Sequence, residues 1–347
     1  MSRIRDLASI LTASSSMATD TEVSAVSAQI PVNVAGKNFV INGGMDIWQR
    51  GTTFSAPSNL SYTADRWFSF WGSSNRTVSR QTGFGGNNYS IRVGRNSGVS
   101  DTSFSGIGTI IESANMYLLQ GKTVTLSFYA RIGANFSGNL LATVVQSGTG
   151  IDQGAGSWWA GTWTSRVTNK EYYINPTTTA TRYSTTFTIP SDATELLIYH
   201  QYAASGTAGA ADYFEITGVQ LEIGSVVTDF SRAGGDIQGE LAKCQRYYQV
   251  PPTAIFLHGY NSSAAGFWWQ PPVVMRTAPT ASLATTSPYW ESVPYTTIGS
   301  LTNASLNNTK MTASGGTIVI AGTYSPSPAT SYPSLFNGSN ITFSAEL

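Results

Sequence analysis

TVTLSFYARI, residues 123–132, decides the fold class. Val124, Leu126, Phe128 and Ala130 fall on one side of a two-residue period, and Thr125, Ser127, Tyr129 and Arg131 on the other. That period is the signature of a half-buried strand, and β-branched and aromatic side chains fit its pleated surface. The same signature recurs outward along the chain. LLATVVQS (140–147) is short and β-branched, and RYSTTFTIP (182–190) alternates Tyr183, Thr185, Phe187 and Ile189 ahead of Pro190. ELLIYHQYA (195–203) is apolar enough for a central strand, and DYFEITGVQLEI (212–223) supplies one or two more before Gly224. Many short strands with polar turns predict a sandwich or barrel over residues 37–232. No intervening helical pattern calls for a parallel α/β sheet.

The flanks read differently. In residues 1–36, Ile4, Leu7 and Leu11 form one apolar stripe and Val23, Val26 and Ile30 a second, each at helical spacing, with Pro31 ending the pattern. Such narrow seams build no core alone; they suit an oligomeric helical bundle or an anchor on another protein. Residues 233–252 carry the clearest helix, GGDIQGELAKCQRYYQ, with Asp236 as its cap and Ile237, Leu241, Cys244 and Tyr248 on one stripe, stopped by Pro251 and Pro252. Residues 253–347 form a last β module, expected as a sandwich, with strands in AIFLHGY, FWWQPPVVM, TASLATT, GTIVIAG and NITFSAEL. Its only ionised side chains are Arg276, Glu291, Lys310 and Glu346, so it is expected to bury surface against copies of itself.

Composition excludes several functions. The chain has 347 residues with 19 basic and 19 acidic side chains, a formal charge of zero, two His and one Cys. Zero net charge gives no global pull towards nucleic acid or an anionic membrane. One Cys allows no internal disulfide, and His200 and His258 alone make a poor metal site. No apolar run approaches the roughly 20 residues of a membrane-spanning helix. The opening MSRIRDLASILTASSS makes a poor secretion signal, so synthesis in a cytoplasm is expected.

No catalytic motif stands out. GIGTIIESA (106–114) resembles a Gly-rich turn but lacks the third Gly and the Lys of a phosphate loop. The carboxylates are scattered, so the expectation is that this is not an enzyme. Aromatic clusters are more informative. Trp158, Trp159 and Trp163 lie in the Gly-flanked GAGSWWAGTW, expected as a loop, and Trp268 and Trp269 in GFWWQPP. Exposed rings on a loop stack on the apolar faces of sugars, which makes these five the candidate glycan-binding residues. Trp67 and Trp71, at even strand spacing, read as core, as do His200 and Cys244. Arg50, Arg66, Arg76, Arg80, Arg92 and Arg95 read as solvated or paired. Asn42, Asp65, Asp212 and Glu222 are oxygen donors that could join around a structural Ca²⁺, although their spacing defines no loop.

Several segments together resemble a known group. NFVINGGMDIWQRGTTF (38–54) with YTADRW (62–67), ITGVQLEIGSVVTDF (216–230), ELAKCQRYYQ (240–249), WWQPPVVMRTAPTASL (268–283) and ITFSAEL (341–347) are similar, in this order, to bacteriophage virion fibre and appendage proteins that carry a jelly-roll domain like a carbohydrate-binding module. The resemblance implies a mostly β fold with a jelly-roll sandwich over 37–232, a homotrimer on the virion surface, attachment to other virion proteins through residues 1–36, and adhesion to a host-surface glycan without nucleic acid or membrane insertion. It transfers no binding residues. The alternatives are a capsid-decorating or cement protein with a structural role only, and a glycan depolymerase.

Overall fold

A computed structural model describes residues 36–72, 75–251, 254–261, 264–283, 289–292, 298–325, 334–337 and 341–347. Ile4, Leu7, Leu11, Val23, Val26 and Ile30 lie outside the described residues. TVTLSFYARI (123–132) becomes strand β6 of a β-sandwich. One sheet is antiparallel and six-stranded, in the order β1 (Thr53–Ser55), β3 (Arg76–Thr82), β4 (Tyr89–Arg95), β11 (Tyr213–Ile223), β6 (Thr123–Ile132) and β9 (Thr181–Thr188). The facing sheet has five strands, in the order β2 (Phe68–Trp71), β5 (Ser105–Ile111), β10 (Glu195–Tyr202), β7 (Leu141–Gly148) and β8 (Val167–Ile174). Val124, Leu126, Phe128 and Ala130 are all fully buried between the sheets, with Ile91, Val93, Ile198 and Phe214.

Trp67 and Trp71 join that core, as their spacing predicts. So does His200, whose Nδ1 lies 2.9 Å from Thr143 Oγ1 and whose ring meets Phe128 edge-on at 4.7 Å. Burial pushes the His200 pKa down to about 3, so the ring is neutral. GIGTII is no turn: it is β5, and its glycines serve packing rather than a phosphate.

A bulge between Thr217 and Gln220 of β11, with Gly218 at φ +60°, opens room for residues 38–43 beside that strand. There Phe39 N donates to Leu221 O at 3.0 Å and Val219 N to Gly43 O at 2.9 Å. A Cβ on Gly43 would sit 2.0 Å from Val219 O, so no other residue fits. Two of the stretches that carry the resemblance, around NGG and GVQLE, are therefore partners in one backbone contact.

Among the described residues three short helices follow the sandwich loops: α1 (Ser113–Met116), α2 (Ala155–Trp159) and α3 (Ile237–Gln245). Asp236 caps α3, its carboxylate accepting Gly239 N at 2.7 Å. Cys244 is fully buried, as expected, and burial raises its thiol pKa further. Ile237 is not on the buried side. Glu240 takes that place, accepting the backbone N–H of Asn42 and of Gly234, and these bonds turn Ile237 outward. The helix is also shorter than its pattern, because Tyr248 leaves it for strand β12 (Tyr248–Gln249).

In place of the expected second sandwich, β13 (Ala254–Asn261), β14 (Ala264–Trp269), β18 (Gly315–Ser325), β17 (Ile298–Thr312), β16 (Tyr289–Ser292) and β19 (Ser334–Asn337) close into a barrel. The 15-residue β17 and 11-residue β18 bend through two register shifts, which lets the sheet curl shut. FWWQPPVVM is strand only as far as Trp269, since Pro271 cannot donate to a ladder. Strands β12, β20 (Ile341–Ser344) and β15 (Thr280–Leu283) form a separate three-stranded sheet between barrel and sandwich. Among the described residues no helix is long and apolar enough to cross a membrane.

Candidate functional site: an aromatic face on the five-stranded sheet

The sandwich core takes one face of the five-stranded sheet; the other face carries a second apolar cluster of Phe68, Phe70, Ile110, Ala142, Val144, Leu197 and Tyr199. Gly106 and Gly108 of β5 make it possible. A Cβ on Gly106 would lie 2.4 Å from Phe70 Cζ, and one on Gly108 would lie 2.9 Å from Phe68 Cζ. Two bare positions in a strand thus let large rings from β2 and β10 lie over its backbone.

GAGSWWAGTW caps this face. It folds as the helix α2 with Gly154 before it and Gly161 at φ +73° after it, not as the expected loop. Adjacent side chains on a helix diverge by about 100°, so the two indoles take different roles. Trp158 turns inward and is 7% exposed, 5.1 Å from the Phe70 ring and 5.2 Å from Tyr199, with its Nε1 donating to Gln146 Oε1 at 2.8 Å. Trp159 stays 40% exposed, 5.7 Å from Phe104 and 6.3 Å from Phe70. Trp163 is 4% exposed, under the helix, donating to Gly154 O at 3.3 Å. Of the three candidate indoles, Trp159 therefore offers ring area to a ligand, while Trp158 and Trp163 hold the helix down.

An open cavity of about 220 Å³ lies beside Trp159, lined by Phe70, Phe104, Trp158 and Tyr199 with Gln146, Gln201 and Arg166. No carboxylate is among its lining residues. Arg166 is tethered by an Nη1 bond of 3.1 Å to Trp158 O, and Gln146 also donates to Thr168 Oγ1 at 3.1 Å. Burial above all, with Glu171 adding, pushes the Tyr199 phenol up to about 12, so it remains a neutral hydrogen-bonding group. Aromatic rings, the Gln146 and Gln201 amides, a neutral phenol and one guanidinium held to a backbone carbonyl line this cavity, and rings with amides suit a polyhydroxyl ligand, which has apolar ring faces and hydroxyls to bond. Phe104, Gln146, Gln201 and Arg166 were not foreseen. The alternation of Phe68 and Phe70 against the Gly106–Gly108 pair was their one sequence signal.

The second tryptophan pair splits by strand alternation. Trp269 points inward, stacked on Phe343 at 3.8 Å, and Trp268 outward, 67% exposed. The four oxygen donors proposed for Ca²⁺ do not converge. Asn42 bonds Ile47, Asp65 holds Gln49 N at 3.0 Å, Asp212 holds Arg95 at 2.8 Å and Glu222 accepts Thr228 N at 3.0 Å. Among the described residues no three His, Cys, Asp or Glu are placed to share a metal. Arg66, Arg76 and Arg95 are buried and paired with Glu346, Asp101 and Asp212. A second open cavity, of about 280 Å³ on the six-stranded sheet, has its charges tied in this way, Arg95 to Asp212 and Arg92 to Glu215.

No protein-family model and no curated protein matches the sequence. Among solved structures, the chain is similar to the enzymatically active domain of tailspike protein 4 of bacteriophage CBA120, with 14% identity and a TM-score of 0.36 over 54% of this chain and 21% of that one. It is also similar to a CBM4 module, with 18% identity and a TM-score of 0.33 over 53% of this chain and 100% of that one. The CBM22-1 xylan-binding domain of Paenibacillus barcinonensis Xyn10C is a third, with 12% identity and a TM-score of 0.33 over 56% of this chain and 98% of that one. The chain thus corresponds to about a fifth of the tailspike chain, 21% of its length.

Proposed function

We propose that this chain is an adhesion protein of a phage virion surface that binds host envelope glycans, without cleaving them, through the outer face of the five-stranded sheet. The observation that carries the reading is Trp159, 40% exposed at the rim of a cavity walled by rings and amides. Removing such a ring forfeits stacking area that neutral hydrogen bonds alone do not replace. The virion setting rests on the ordered motifs of the sequence. A glycan array probed with the full chain tests the binding claim: retention on a defined group of saccharides is expected, and an array blank at every sugar, host polysaccharide included, overturns it. Release of reducing ends from a bound polysaccharide would replace adhesion with depolymerase activity.

The same reading has the chain act as a homotrimer, since the stripes of residues 1–36 and the nearly uncharged C-terminal module both call for protein partners. Sedimentation at micromolar concentration should give one species near three times 37.0 kDa, and a stable monomer contradicts this. Trp268 and Val274, each exposed on the C-terminal module, favour a second reading, a capsid-decorating protein with a structural role only. Mass analysis of purified virions separates the two: a handful of trimers indicates a fibre, many tens of copies a decoration.

A further inference from the structure

We propose that residues 345–347, steered by Arg276, are a clasp that positions helix α2, so that the aromatic face is complete only when β20 is docked. The functional meaning of this clasp rests on the glycan-binding reading; its structural content does not.

Helix α2 has five residues and no side-chain cap, too few to persist without outside contacts. Its supports come from two directions. Gln146, Arg166 and Trp163 hold it from the sandwich. The others come from the far end of the sequence. Leu347 O accepts Ala155 N at 3.4 Å and Tyr62 Oη–H at 2.8 Å, and the Leu347 side chain packs into the cluster that contains Trp158. A Cβ on Gly154 would fall 2.2 Å from the Leu347 carbonyl carbon, so the glycine before the helix is shaped to that residue.

Arg276 ties both sides together. Its Nε donates to Ala345 O at 2.8 Å and its Nη2 to Glu346 O at 3.2 Å, while Nη1 reaches Asp152 Oδ2 at 3.1 Å. Asp152 stands two residues before Gly154 with φ +53°, an uncommon conformation for a residue with a side chain, and its other oxygen accepts Ser113 N at 3.0 Å. One guanidinium therefore fixes the turn leading into α2 and the backbone of the clasp at once. Glu346 completes the lock: its carboxylate pairs with buried Arg66 and, at 3.0 Å, with Arg50. Arg66 in turn donates to Ile110 O at 2.7 Å, under the aromatic face.

Hydrogen exchange of the full-length chain, read by mass spectrometry, tests this without any ligand. Arg276→Gln should accelerate exchange over residues 153–163 about tenfold or more, as expected for losing charge-assisted bonds, and leave the central strand 195–202 unchanged. Leu347→Gly keeps every ion pair and should do the same; it decides the matter if Arg276→Gln also loosens 195–202. Unchanged exchange over 153–163 in Leu347→Gly overturns the clasp. On the glycan array both variants should lose signal at each sugar the parent binds, and full retention there also counts against the clasp. An array on which the parent itself is blank removes the glycan reading and leaves the exchange result to judge the clasp.

Discussion

At the scale of single residues, neighbours in sequence have opposite jobs. Trp158 is buried under its own helix and bonded to Gln146, so Trp158→Ala should cost about 3–5 kcal/mol of stability, as large-to-small changes at buried aromatic positions do, and calorimetric melting reads it. Trp159 has no such role, and its loss should barely move the melting temperature. Glu195 makes a second residue-level prediction. It is fully buried; Oε2 accepts Gln153 N at 2.7 Å, and Oε1 has no partner among the described residues. Burial, with Asp152 adding, pushes its carboxyl up to about 7 from 4.5. A raised folded pKa favours the protonated native state, so this group's contribution is full below about pH 4.5 and is lost as pH rises through 7. Melting curves of the parent and Glu195→Gln should therefore diverge across that window, with the parent falling; parallel curves would contradict the assignment.

At the scale of elements, strand β5 is the least obvious and the most consequential. Gly106 and Gly108 read as a failed phosphate loop, yet they are the floor on which Phe68 and Phe70 lie. Gly106→Ala would place a methyl 2.4 Å from Phe70 and 2.5 Å from His200 O. Overpacking of this kind costs about 1–3 kcal/mol, and displacing Phe70 should weaken saccharide binding along with the melting temperature; retained binding would separate this floor from the site. Strand β9 was legible because one face is covered and the other wet; β6 was legible because apolar and polar residues alternate along it, although Thr125 and Ser127 on its polar side are buried as well. Strand β10 was legible through its continuous apolar run. Strands β3, β4 and β8 were not, since their polar and charged faces, such as RTVSRQT, dilute the period. Helix α2 was hidden because Gly on both sides of two tryptophans reads as irregular backbone, whereas contacts distant in sequence, from Gln146 and Leu347, hold it helical. For the same reason the sequence singled out Trp159 but not Phe104, Gln146, Gln201 and Arg166: the lining comes from six separate places along the chain, at Phe70, Phe104, Gln146, Trp158–Trp159, Arg166 and Tyr199–Gln201, and only the fold brings them together.

At the scale of the whole molecule, sandwich and barrel are joined by the three-stranded sheet of β12, β20 and β15 and by the ion pairs at Arg66, Arg50 and Arg276. The motifs that carry the resemblance converge there. QRG supplies Arg50, TADRW supplies Asp65 and Arg66, QRYY supplies Tyr247 and Tyr248, and ITFSAEL supplies Glu346. Arg66 lies 3.5 Å over the Tyr247 ring, and Arg50 3.5 Å over Tyr248. Burial works against charge on Arg66, and Glu346, with Tyr247, Tyr62 and Glu112 adding, together outweigh burial and raise its pKa. These motifs therefore serve the scaffold, and the residues that line the cavity beside Trp159 lie outside them. The most direct measurement of where a sugar binds is isothermal calorimetry of the parent, Trp159→Ala and Trp268→Ala against the strongest saccharide from the array. Trp159→Ala should lose about thirtyfold or more in affinity, the usual loss for a stacking hot spot, while Trp268→Ala binds as the parent does. Unchanged affinity in Trp159→Ala, or a loss confined to Trp268→Ala, would contradict the proposed face.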